Sequence, residues 1–141
     1  MDNSLFYLIY KSQETSKMSI AQIEKLTNEA VKKNSLLNIT GLLIRKNNGF
    51  IQYLEGYKTT ISMLYETILR DKRHHSITLL KKGYIKERKF GAWSMLLKHV
   101  TSEEINKIET LKTKNSKSFK IANSGNLNLI LDLIKTYENP N

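Results

Sequence analysis

The chain has no cysteine, a single proline and three histidines, two of them adjacent at His74 and His75. Without thiols it can form no disulfide, no thiolate metal site and no cysteine nucleophile, and so few imidazoles leave little for a metal cage. No apolar run approaches the roughly 20 residues that cross a bilayer. The N-terminal segment MDNSLFYLIYKS lacks a basic region ahead of an apolar stretch with a cleavage site. A metalloenzyme and a membrane protein are therefore not expected, and a cytoplasmic location is. Acidic residues are also scarce: 13 Asp and Glu against 23 Lys and Arg give a formal charge of +10. Such a balance attracts nucleic acid, anionic lipid or phosphorylated ligands by its long-range field. Lys25, Lys32, Lys107 and Lys112, however, sit singly on faces that should be solvated, so solubility accounts for them better than nucleic-acid binding does.

What is present fits one compact domain with a short appendage: 141 residues, 40% hydrophobic and 26% charged. The run LFYLIY, within residues 4 to 10, is apolar and aromatic, as in a central strand covered on both faces. Ser19 and Gln22 have capping-box spacing, and Ile20, Ile23, Leu26, Thr27, Ala30 and Val31 then share a helical face up to about Asn34. ITGLLIRK (39–46) and GFIQYLEGY (49–57) are strand-like and separated by Asn47 and Asn48, which is hairpin chemistry. Ile61, Leu64, Tyr65, Ile68 and Leu69 mark a second helix over about 58–70. Residues 71–76 break that pattern. SITLLKKGYI and FGAWSMLLKHV read as two more strands joined by the charged turn KERK. The order strand, helix, strand, strand, helix, strand, strand implies an α+β, ferredoxin-like sheet with both helices on one face, because the strand–helix–strand crossover is right-handed.

After residue 99, Thr101 and Glu104 have capping-box spacing and open a helix with Ile105, Ile108 and Leu111 on one side. Leu127, Ile130, Leu131, Ile134 and Tyr137 form another. The polar stretch KTKNSKSFKIANSGN between them reads as a connector. Two short helices cannot build a core of their own, so they are expected to cover the sheet face that the first two helices leave bare.

Tyr10 in the first strand and Gln52 in the third are polar side chains set among apolar ones. Burying either without a partner costs roughly 1–3 kcal/mol. By strand alternation Gln52 shares a face with Phe50 and Leu54, the face toward the helices. Taken singly, each is more often an ordinary strand residue with a wet polar end.

Five separated segments change that weighting. LIYKS (8–12), Asn34 followed by NITGLL (38–43), GFIQYLEG (49–56), DKRHHS (71–76) and RKFGAWSM (88–95) resemble, in order and spacing, the BLUF flavin photoreceptors. The likeness spans residues 1–99 as a photosensor domain and leaves 100–141 as the two-helix extension. It implies non-covalently bound FAD, with FMN as the alternative, because such proteins hold the ring firmly and the adenine loosely. It also implies that the family's essential tyrosine, asparagine and glutamine fall on Tyr10, Asn34 and Gln52, with Leu26 and Ile68 against the two ring faces. Arg73, with Asp71 and His74, resembles the family's arginine region near the ring; read from the residues alone, the same stretch is equally a solvated loop. Lys33 stands where relatives often carry histidine or asparagine, and Thr67 where some carry a basic or amide side chain. Ser12 is placed to hydrogen-bond near Tyr10, but a plain strand-end serine is the simpler reading.

The resemblance further implies a light reaction in which Tyr10 gives an electron to the excited flavin and a proton moves through Gln52. Gln52 is then left rotated or tautomerised, with no covalent adduct. Trp93 and Met95, alternating onto one face of the last strand, are the expected transmitters to the tail, although plain core packing is the commoner fate of such residues. On this reading the protein is not an enzyme, and its output passes to a downstream regulatory or signalling protein. Homo-oligomers are common among short relatives. The alternative is a flavin-free basic module of the same fold that binds nucleic acid or protein. An acylphosphatase would need a glycine-bearing phosphate loop with arginine after the first strand, and KSQETSK has neither.

Overall fold

The computed structural model describes residues 4–46, 49–100, 131–132 and 134–135. In chain order it contains β1 (Leu5–Glu14), α1 (Ile20–Leu36), β2 (Thr40–Lys46), β3 (Gly49–Tyr57), α2 (Lys58–Leu69), β4 (His74–Tyr84) and β5 (Leu96–His99). The five strands form one sheet in the order β4-β1-β3-β2-β5. β1 pairs antiparallel with both β3 and β4, β2 with β3, and only β2 and β5 run parallel. This is the expected ferredoxin-like arrangement with a fifth strand added at the β2 edge.

Both crossover helices serve the same side of the sheet. Ile23 of α1 and Ile61 of α2 are each 0% exposed and pack in one cluster with Leu8, Tyr10, Phe50 and Leu54. Full burial of a side chain of that size contributes roughly 1.5–3 kcal/mol. The capping box forms as expected at the start of α1: Gln22 N donates to Ser19 Oγ at 3.1 Å and Ser19 N to Gln22 Oε1 at 2.8 Å. Ile20, in the first turn, does not join the buried stripe and is exposed. The opposite sheet face carries a second cluster built on Ile9, Leu42, Ile44, Tyr53 and Phe90. Leu131 and Ile134, which are helical, pack on it. The helix expected from Thr101 and the Asn47–Asn48 turn lie outside the described residues.

Three boundaries differ from expectation, each because of a polar contact made at a distance. β1 runs on through Glu14, since Ser12 and Glu14 are buried on alternate positions and find partners elsewhere in the fold. Glu14 Oε1 accepts from Arg45 Nε at 2.6 Å, and Arg45 Nη2 donates to Met18 O at 2.6 Å. β4 begins at His74, two residues before Ser76, because His74 and His75 pair with Glu14 and Gln13. The last strand is confined to Leu96–His99, and residues 90–95 are not strand.

β4 is also irregular. Ile9 faces Lys81 while Tyr10 faces Leu79, and Lys11 faces Thr78 while Gln13 faces His75, so β4 carries one extra residue at each of these two steps. Ser76, at the second, has φ 56°, in the left-handed region.

Candidate functional site

The antiparallel register of β1 and β3 sets Tyr10 directly opposite Gln52, with both side chains on the helix-covered face. Tyr10 Oη donates to Gln52 Oε1. Gln52 Nε2 donates in turn to Met95 Sδ at 3.4 Å. A thioether is a weak acceptor, and no acceptor among the described residues takes the second Nε2 hydrogen. Burial, chiefly, and then the neighbouring Tyr65 and Asp71, push the Tyr10 phenol above its ordinary pKa, so it is a neutral donor. Its ring lies 5.9 Å from the Tyr65 ring and 6.3 Å from that of His74.

Asn34, in the last turn of α1, ties the helix end to the segment before β5. Its Nδ2 donates to Ser94 O at 3.0 Å, and its carbonyl accepts from Ile39 N at 2.8 Å. The side chain is buried, yet nothing among the described residues donates to Oδ1. At the other side, Asp71 and Arg73 form a chelating pair. Asp71 Oδ1 accepts from Arg73 N at 3.0 Å and from Nε at 2.9 Å, while Nη2 reaches Oδ2 at 2.5 Å. The Arg73 hydrogen bond is the main cause holding the Asp71 carboxyl below its usual range. His74 is held at both ring nitrogens, by Ser12 Oγ and by Ile68 O, each at 2.9 Å. A carbonyl can only accept, so Nε2 donates to Ile68 and Nδ1 meets the Ser12 hydroxyl.

These groups surround a cavity of about 380 Å³ between α1, α2 and the sheet. Tyr10, Leu26, Asn34, Gln52, Ile68, Asp71, Arg73 and His74 all line it, and Met95 does so as well. Its walls are mostly apolar with a few converging polar groups, and its size falls in the range of about 300–1,000 Å³ usual for small-ligand sites. The unused Gln52 hydrogen and Asn34 Oδ1 offer one donor and one acceptor to a flat heterocycle whose edge carries both kinds of group. Leu26 and Ile68 offer apolar contact from opposite helices. The residues present fit a flavin ring.

Trp93 does not share Met95's position. The chain turns after Phe90, with Trp93 N donating to Phe90 O at 2.9 Å, so strand alternation does not apply there. Trp93 packs in the far-face cluster, its ring 6.3 Å from that of Phe90, whereas Met95 belongs to the cavity-face cluster. Ser94 presents its main-chain carbonyl to Asn34. Ser12 is no strand-end residue but a buried partner of His74. Lys32 and Lys33 line the cavity from α1, and Thr67 does so from α2.

The family profile described as sensors of blue-light using FAD matches residues 5–96. The chain is 33% identical over 90 residues to the blue light- and temperature-regulated antirepressor of Escherichia coli (strain K12), covering 64% of this chain and 22% of that protein. It is 36% identical over 95 residues to a photoactivated adenylate cyclase subunit beta of Euglena longa, covering 67% of this chain and 11% of that one. It thus spans less than a quarter of the length of these relatives. Among solved structures, the photo-activated state of BlsA superposes with a TM-score of 0.76 at 28% identity, over 97% of this chain and 99% of that one. No helix among the described residues is long and apolar enough to cross a membrane.

Proposed function

The chain belongs to the BLUF family, the blue-light sensors that use FAD, and from that premise we propose that Tyr10 and Gln52 are its photoactive pair and Met95 the first residue to register their change. The observation that carries this reading is the hydrogen-bonded chain Tyr10–Gln52–Met95 lining a cavity that fits a flavin. Leu26 and Ile68 would clasp the ring, and Asn34 and Gln52 would meet its polar edge. Asp71, Arg73 and His74 would border it from the end of α2 and the start of β4.

When bound, FAD supplies absorption of blue light and a strong electron acceptor in its excited state. The residues supply the rest. Tyr10 is held neutral, and its proton lies in the hydrogen bond to Gln52 Oε1. Withdrawing an electron from the phenol makes it strongly acidic, and Oε1 is the atom placed to take the proton. Rotating the amide exchanges its donor and acceptor ends, so Nε2 would face Tyr10 and Oε1 would face Met95 and the cavity. The Nε2–Sδ contact is then lost, because a thioether cannot donate to Oε1. The altered contact at Met95 is read as the signal.

The electron and the proton return to Tyr10 before the amide settles, so the cycle consumes nothing, and we read this domain as a sensor without turnover of its own that acts on a downstream regulatory or signalling protein, in the cytoplasm. A flavin-free binding module would have no use for a buried phenol–amide pair beside a ring-sized cavity. The deciding experiment is the visible spectrum of the FAD-loaded protein before and after a blue-light pulse, beside Gln52→Leu. We expect a red shift that decays in the dark in the parent and no shift in the variant. A parent that binds no flavin, or a variant that still shifts, would overturn the assignment.

A further inference from the structure

We propose that Glu55, on the sheet face away from the cavity, is the positioning residue that sets Met95 against Gln52. Glu55 is 0% exposed, and its two oxygens collect four donors. Oε1 accepts from Lys89 N at 2.8 Å and from Tyr53 Oη at 3.1 Å. Oε2 accepts from Phe90 N at 2.8 Å and from Thr40 Oγ1 at 2.6 Å. All four partners donate, which suits the acceptor-only chemistry of a carboxylate. The two backbone contacts are the informative ones, since they fasten consecutive residues of the segment that leads to Met95.

Other contacts hold the same segment, among them Arg88 Nη1 donating to Glu55 O at 3.3 Å. Arg88 donates to Asn38 O at 2.7 Å and to Thr40 Oγ1 at 2.9 Å, the same hydroxyl that donates to Glu55. Trp93 O accepts from Gly41 N at 3.2 Å. From there the chain passes to the cavity side, where Ser94 O meets Asn34 and Met95 Sδ meets Gln52. Strand β3 therefore grips both ends of one segment, with Gln52 on one face and Glu55, three residues on, on the other. Fixing Lys89 and Phe90 determines which of the residues that follow faces the glutamine, and the outcome is Met95 in and Trp93 out.

The inference rests on the photosensory reading above, and its test separates the two. The full chain, labelled at its methionine methyl groups and loaded with FAD, is compared as parent, Glu55→Gln, Met95→Ala and the double variant. Glutamine keeps the size of the side chain but turns one acceptor into a donor facing a backbone N–H. In the dark, the Met95 methyl resonance, identified by its loss in Met95→Ala, is expected to move in Glu55→Gln. The dark recovery rate is expected to change about fivefold or more in Glu55→Gln but by less than about twofold when the same change is made in the Met95→Ala background. An unmoved methyl resonance, or an equal rate effect in both backgrounds, would refute the positioning role. A parent without a light-induced shift would instead sink the photosensory reading, while the methyl resonance still reports on Glu55. Should Glu55→Gln fail to fold, Thr40→Val and Tyr53→Phe each remove one donor to the carboxylate and are expected to move the same resonance by less.

Discussion

A phenol as deeply buried as that of Tyr10 is held in its neutral form by its surroundings, and this has a measurable consequence in alkali. Its pKa is raised above the ordinary value of 10.0 by burial first and by Tyr65 and Asp71 second. As pH climbs past that ordinary value, the unfolded chain releases the proton while the folded one retains it. The stability linked to Tyr10 is therefore intact below pH 10 and declines above it. A near-ultraviolet titration of the parent against Tyr10→Phe should show no phenolate from this residue at pH 10; a difference at that pH would contradict the environment described. Tyr10 and Gln52 stand out in the sequence as polar side chains inside apolar strands, but only the resemblance carried by five separated segments sets them apart from ordinary strand residues. Glu55, in the same strand as Gln52, satisfies the same criterion of a polar side chain among apolar ones, but its partners Lys89 and Phe90 lie 34 and 35 residues away, so nothing local in the sequence marks it.

Among the elements, β2 is constrained from both sides, since it shares ladders with β3 and β5 and feeds both cores. A Cβ at Gly41 would come 2.1 Å from Tyr53 O, a backbone atom of the neighbouring strand that cannot swing aside. Gly41→Ala is accordingly expected to cost about 3 kcal/mol or more, read as a lower midpoint in chemical denaturation or as failure to accumulate folded protein. Hydrophobic periodicity located every helix and every strand core within the described residues. It failed at strand ends, where continuation depends on polar contacts such as Ser12 with His74 and Glu14 with Arg45. It failed also at residues 90–95, where an apolar composition resembles a strand but Glu55 and the Phe90–Trp93 turn impose another path. Trp93 lies on the face away from Gln52 for the same reason.

For the molecule as a whole, the proposed seat of FAD between the helices would make the cofactor part of the stability. A ligand that binds only the folded state stabilises it by about 2.7 kcal/mol at 100 times its Kd. Stripping FAD should thus lower the melting temperature, and titrating it back should raise the midpoint continuously with concentration; an unchanged midpoint would mean that the cavity is not its site.

The two extra residues in β4 bear on behaviour in a crowded solution. An eleven-residue edge strand would ordinarily offer an evenly spaced row of amides and carbonyls to any passing chain. Here the row is interrupted twice, at Leu80 and at Ser76, and Lys81 and Lys82 follow the first interruption. A second chain laid along it would lose register within a few residues and meet two like charges. The edge is thereby protected from uncontrolled strand addition, which gives the folded chain resistance to aggregation.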